Sequence, residues 1–229
     1  MSNPYAWEKV WQKGMYSTDA LRLIKARRKY EALESMGAIS NNFGNIVEIG
    51  CGNSAFFKLA IEKGVQFKNY LGIDKSPTAL IRAKANTQEI KNCTLINRDA
   101  INIPLENNST NTIIALGVLE HIEDVTAYIQ ELRRIAAPGA TLLLTTSNTR
   151  STMHGARRIR ELIGAWPYGF QRNDSVNSLS HLLEPSFRIE SLSTLHGDAD
   201  FIFSTAIDVG IGLVAPMWGR YLVCKCLAS

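Results

Sequence analysis

The sequence predicts an α/β fold, a mostly parallel sheet with helices on both faces. Three observations predict it. From residue 45 onward, short apolar strands alternate with amphipathic helices. Two glycines, Gly50 and Gly52, separate the first of these strands from its helix. Three carboxylates, Glu48, Asp74 and Asp99, fall at successive strand ends, where open parallel sheets bind their ligands.

The elements follow in order. Ser17, Thr18 and Asp19 can cap a helix running to about Met36, with Leu23, Ala26, Tyr30 and Leu33 as its apolar face. Arg22, Lys25, Arg27, Arg28 and Lys29 fill most of the rest and read as a solvated face, with a phosphate-binding face as the alternative. Strand 45–50 leads to a helix over 54–63. Strand 70–74 leads to a helix over 77–88, with Ser76 as cap and Pro77 in its first turn. Strand 93–97 precedes a loop holding Asp99 and Pro104. Strand 110–117 leads to a helix over 123–136 that stops at Pro138-Gly139, and strand 140–147 follows. Beyond residue 148 the rhythm weakens into a basic and aromatic stretch. A short helix from Ser175 or Asn177 through Leu183 and two C-terminal strands complete the chain.

The 229 residues suffice for one domain with a sizeable core. We divide it into an N-terminal helical extension (1–44), a core (45–147), a variable insertion (148–178) and a C-terminal helix with strands (179–229). The formal net charge of +4 is mild and does not by itself call for nucleic acid. "MSNPYAWEKV" lacks a basic segment followed by an apolar one, so no signal peptide is expected. The apolar stretch 201–218 is broken by Asp208, glycines and Pro216, and reads as core rather than a membrane span. Cys51, Cys93, Cys224 and Cys226 lack a second pair at zinc-ligand spacing. Cys224 and Cys226 would share a strand face, a poor geometry for bridging each other, so all four read as reduced thiols of a cytoplasmic protein.

Gly50, Gly52 and Ala55 satisfy the G-x-G-x-x-G/A pattern of dinucleotide sites. On spacing alone a nicotinamide dinucleotide and S-adenosylmethionine both fit, since each carries an adenosine. Glu48 favours the second, because a buried carboxylate repels a pyrophosphate and suits an ammonium group. The helix also opens without a third glycine. Asp74 can accept both ribose hydroxyls, Asp99 an adenine amine, and the Ala100 N–H can pair with a ring nitrogen.

"VEIGCGNS", "LGIDKS", "NRDAINIPL", "LGVLEHIED" and "LRRIAAPGATLLLTTSN" together resemble the motifs of class I S-adenosylmethionine-dependent methyltransferases, in particular the group that methylates small molecules. The resemblance is firm over about residues 45–150 and looser elsewhere. It implies a Rossmann-like fold whose seven-stranded sheet has one antiparallel strand from the C-terminal segments. It also implies a cofactor shell of Glu48, Gly50, Cys51, Gly52, Asp74, Lys75, Asp99, Ala100, Leu116 and Gly117, with no metal. Asn111 and Thr112 stand where the family usually has an acid, and Ala140 where a second glycine is common.

The expected reaction is in-line methyl transfer to O, N or C of a small metabolite, with His121 and His154 as candidate bases. A structural role for His121, near a helix start, competes with the catalytic one. Arg150, Arg157, Arg158, Arg160, Trp166, Tyr168 and Phe170 in the insertion admit three readings: a lid over an anionic substrate, a peripheral membrane contact serving a prenylated one, or a solvated basic helix covering the site with its apolar side. The competing functions are RNA or protein methylation, a catalytically silent cofactor-binding partner subunit, and a nicotinamide-dependent reductase. No nucleic-acid partner is expected, and a homodimer is compatible with the chain.

Overall fold

The protein is described here from a computed structural model covering residues 6–12, 18–166, 169–196, 202–215 and 217–229. Helices α1 (Ala6–Gln12) and α2 (Asp19–Ser35) precede the first strand. Then come β1 (Asn45–Ile49), α3 (Ala55–Glu62), β2 (Asn69–Asp74), α4 (Pro77–Thr87), β3 (Cys93–Asn97), β4 (Thr110–Leu116), a single 3-10 turn at Leu119–His121, α5 (Val125–Ile135) and β5 (Ala136–Ser147). The chain ends with α6 (Thr152–Leu162), α7 (Val176–Leu183), β6 (Phe187–Leu195), α8 (Ile202–Gly212) and β7 (Tyr221–Ala228).

The seven strands form one sheet in the order β3-β2-β1-β4-β5-β7-β6. The pairings among β1 to β5 are parallel, and β7 runs antiparallel to both β5 and β6. One antiparallel strand from the C-terminal segments is therefore present, as expected. The strand order reverses between β1 and β4, so the carboxyl ends of β1, β2 and β4 open onto a common crevice.

Helices cover both faces. On one side Tyr128, Leu132, Leu179 and Leu183 of α5 and α7 pack on Val47, Ile113, Leu142 and Leu144. On the other, Ala26, Tyr30 and Leu33 of α2 join Phe56, Phe57 and Leu59 of α3 over Ile46, Ile114 and Leu143. A fully buried leucine such as Leu132 contributes about 1.5–3 kcal/mol. Alternation of apolar strands with apolar helix faces is what the sequence displays, and burial on both sheet faces is its cause.

The structure corrects several expectations. Helix α5 ends at Ile135, and Ala136 is already extended. β5 begins there and runs through Pro138-Gly139, because the ladder with β4 bulges: Thr110 pairs with Ala136 and Thr112 with Thr141. Within the bulge, Pro138 lacks a donor and Gly139 adopts φ +72° without disturbing the regular pairs. Thr18 caps α2, accepting the Leu21 N–H, whereas Ser17 lies outside the described residues. Leu23, expected in the apolar face of α2, is exposed. Asn111, in the place of an acid, accepts the Asn45 N–H, and Thr112 donates to the Phe43 carbonyl, so both tie β4 to the β1 entry. The described part of 201–218 is mostly α8, and it is not core: Leu213 and Val214, just beyond the helix, are among its most exposed residues.

Candidate active site

The glycine turn leaves β1 at its carboxyl end. Gly50 and Gly52 take φ +62° and +56°, a region that disfavours side chains. Space is short too, since a Cβ on Gly50 would lie 2.5 Å from Val118 Cγ2 and one on Gly52 would sit tightly at 3.1 Å from the Trp11 ring. Asp74 braces the turn from β2. Its Oδ2 accepts the Gly52 N–H (2.9 Å) and its Oδ1 the Ser76 N–H (2.8 Å), and Cys51 N–H bonds the Ile73 carbonyl. Helix α3 then starts at Ala55 with no third glycine.

Glu48 is buried and accepts the Tyr70 hydroxyl at 2.6 Å. Burial pushes its carboxyl up to about 8; the Tyr70 bond and the Lys29 cation pull it back, and Asp74 adds a further rise. Burial also raises Asp74, against the two N–H groups that favour its anion. Asp99 is exposed, and its Oδ1 accepts the Ala100 N–H at 2.6 Å. The N–H expected to meet an adenine nitrogen is thus already engaged, and freeing it requires the Asp99 side chain to turn away.

These groups line one cavity of about 360 Å³. Every residue expected in the site faces it: Glu48, Gly50, Cys51, Gly52, Asp74, Lys75, Asp99, Ala100, Leu116, Gly117, His121 and His154. Among the described residues no cluster of His, Cys, Asp or Glu could hold a metal ion, and the four cysteines are unpaired.

His121 lines the same cavity from the 3-10 turn that follows β4. Its Nδ1 lies 3.1 Å from the Phe170 carbonyl oxygen, which can only accept. Nδ1 therefore carries the proton, and Nε2 keeps its lone pair. The Trp7 ring meets the imidazole edge-on at 4.8 Å. Burial lowers the His121 pKa, against the raising effects of Glu120 and the Phe170 bond, so the ring is neutral near pH 7. His154 has the reverse arrangement: the Asn173 amide donates to its Nδ1 at 2.8 Å. Arg157, which is buried, donates to the Gln171 carbonyl (3.0 Å) and Asn173 Oδ1 (2.5 Å), fixing the loop behind both histidines.

Several cavity residues were not anticipated. Trp7 and Trp11 come from α1, where Glu8 anchors the helix by accepting Ser76 Oγ and Thr78 Oγ1, each at 2.5 Å. Arg22, Lys25 and Lys29 line the cavity from α2, so this part of the basic run is not a solvated face. Lys29 Nζ donates to the Leu116 carbonyl (3.1 Å), and the Arg22 guanidinium stacks 3.5 Å over Trp11. Their three- and four-residue spacing around Ala26 was the available signal. The insertion also corrects its expected orientation. α6 turns Met153, His154 and Arg157 to the cavity and its apolar Ile159 and Leu162 outward. Trp166 and Arg220 also line it, and Tyr168 lies outside the described residues.

A family model described as a methyltransferase domain matches residues 21–201. Norajmaline N-methyltransferase of Rauvolfia serpentina is 28% identical over 51% of this chain and 40% of its own length. Demethylmenaquinone methyltransferase of Staphylococcus saprophyticus is 26% identical over 46% of each. The chain thus spans less than half the length of these curated relatives. The N-methyltransferase NodS of Bradyrhizobium japonicum, solved with S-adenosylhomocysteine, superposes with a TM-score of 0.61 at 16% identity, covering 88% of this chain and 85% of its own. With most of its length matched by that model, the chain belongs to the methyltransferase-domain family, and its cofactor is S-adenosylmethionine.

Proposed function

We propose that the protein transfers a methyl group from S-adenosylmethionine to O, N or C of a small acceptor. The observation that carries this reading is the convergence of buried Glu48, Asp74 and the glycine turn on one cavity that His121 also lines. The bound cofactor supplies a methyl group already activated on a sulfonium. The residues present fit it. Asp74 would hold the ribose hydroxyls, Asp99 the adenine amine, and Gly50–Gly52 the chain between adenosine and amino acid. Glu48 would face the ammonium and Lys29 the carboxylate. The protein's remaining work is placement and exclusion of water, which α1 and α6 perform from above. His121 Nε2 accepts the acceptor's proton where the attacking group is a hydroxyl or a protonated amine. The names of the two curated relatives pair an amine with a quinone as acceptors, which supports a small acceptor and leaves the attacked atom open. The unpaired cysteines support the cytoplasm as its compartment.

Calorimetry against S-adenosylhomocysteine and NADH tests the cofactor, and binding of the nicotinamide alone would overturn the reading. Incubation with methyl-labelled cofactor and a cell extract identifies the product by mass. With that acceptor in hand, His121→Gln lowers kcat by about 10²–10⁴-fold and leaves S-adenosylhomocysteine affinity unchanged. Full turnover in that variant removes His121 as the base.

A further inference from the structure

Helices α6 and α8 pack on each other, and both are inside out. A helix on a protein surface ordinarily buries its apolar stripe and exposes its charges. In α8 the only ionisable residue, Asp208, is 1% exposed. Its Oδ1 accepts the Thr152 N–H at the start of α6 (2.9 Å) and the Trp218 indole N–H (2.8 Å). Just past the helix, Leu213 and Val214 are 83% and 84% exposed. In α6 the guanidinium of Arg157 is turned inward, whereas Ile159, Leu162 and the capping Ile163, at three- and four-residue spacing, are 62%, 85% and 71% exposed. Single exposed apolar residues need no explanation, but five on a bolted helix pair do.

We propose that the outer faces of α6 and α8 dock on an anionic lipid bilayer. Charge selects this occupant. Arg150, just before the cap of α6, and Arg158, within it, are exposed. The exposed acid of that helix, Glu161, is paired with Arg157 at 3.3 Å. On α6 the apolar face is therefore flanked by net positive charge among the described residues, on a chain of formal charge +4, which is the pattern of a helix lying in a headgroup region. No helix among the described residues is long and apolar enough to cross the membrane, so contact is with the surface. The inner side of α6 lines the cavity with Met153, His154 and Arg157. Docking thus brings the cavity wall to the bilayer, where a lipophilic acceptor would be taken up. That last step rests on the function proposed above, and the docking does not.

The test is flotation of the full chain with vesicles of phosphatidylcholine and of equimolar phosphatidylcholine and phosphatidylglycerol. The chain is expected to float with the anionic vesicles, less with the neutral ones, and less as salt rises. The double variants Leu162→Asp/Ile163→Asp and Leu213→Asp/Val214→Asp should each lower partitioning at least about tenfold. Both should bind S-adenosylhomocysteine as the native chain does, which shows that they are folded and separates a failure here from a failure of the cofactor reading. Absence of flotation with anionic vesicles overturns the proposal, as does undiminished flotation of both variants. A dimer in solution that the same substitutions dissociate, without vesicle binding, would assign the face to a second copy instead.

Discussion

At the sheet edge, the residues facing the cavity come from short runs of chain: Glu48 to Gly52, Asp74 with Lys75, Asp99 with Ala100, and Leu116 with Gly117. The cover above that edge is assembled differently. Trp7 and Trp11 arrive from α1, Arg22 and Lys29 from α2, and Arg157 from α6. The edge continues the strand ladders of β1 with β2 and β4, extended into the turn by the Cys51 N–H to Ile73 carbonyl bond and by the Asp74 carboxylate, which accepts the Gly52 and Ser76 N–H groups. The cover hangs on a few side chains, Glu8 for α1 and Asp208 for α6 and α8. A rigid edge beneath a side-chain-tethered cover suits a site that grips one partner in a fixed way and admits another from above.

The sharpest way to break this contrast is at the edge. Asp74→Ala removes the acceptor of two N–H groups and the expected ribose ligand together. S-adenosylhomocysteine affinity should fall by about 10- to 100-fold in calorimetry. Unchanged affinity would mean that the edge does not carry the cofactor.

Glu48 provides a second probe, through pH. Its folded pKa of about 8 lies above the ordinary 4.5. The folded chain thus holds a proton through that window while the unfolded chain has released it. Stability contributed by this group is full below the ordinary value and is lost as pH rises toward about 8. An ammonium group beside Glu48 favours its anion, so cofactor-product binding should release a proton and tighten as pH rises from about 6 to 8. Calorimetry in buffers of different ionisation enthalpy reads that proton, and Glu48→Gln should abolish it. Proton release that persists in the variant would assign the titration elsewhere.

The smallest effect is expected in the cover. Hydrogen bonds from Ser76 and Thr78 outweigh burial and hold Glu8 below its ordinary pKa, so it is an anion at neutral pH. Glu8→Gln weakens these bonds and should loosen α1 only. We expect a few-fold faster release of S-adenosylhomocysteine, read by fluorescence of Trp7 and Trp11, with little change in global stability. A change as large as that of Asp74→Ala would show that edge and cover form a single unit.

Much of the edge was legible because its physics is local. Gly50 and Gly52 were identifiable from a strand, a turn and a helix read within twelve residues, and the capping role of Ser76 from its place before Pro77. Asp99 was legible as a strand-end acid, but its bond to the Ala100 N–H was not, since it depends on the loop's backbone path. Lys29 was visible only as one charge in a basic run. Nothing local states that its ammonium reaches the Leu116 carbonyl, across the gap between α2 and β4. For α6 and α8 the expectation was inverted. Burial of apolar faces is the sound default, and here one buried carboxylate and one buried guanidinium take the inner side.

The order of strands and helices, the glycine turn and the strand-end acids were determined by the sequence itself, because periodicity, turn chemistry and capping act over a few residues. Which side of α2 faces the cavity, the tautomer of His121, and the outward turn of apolar α6 and α8 were decided by tertiary structure alone. Each depends on a partner far along the chain: Leu116 for Lys29, Phe170 for His121, and Thr152 for Asp208. Such contacts exist only once the sheet has brought distant segments together.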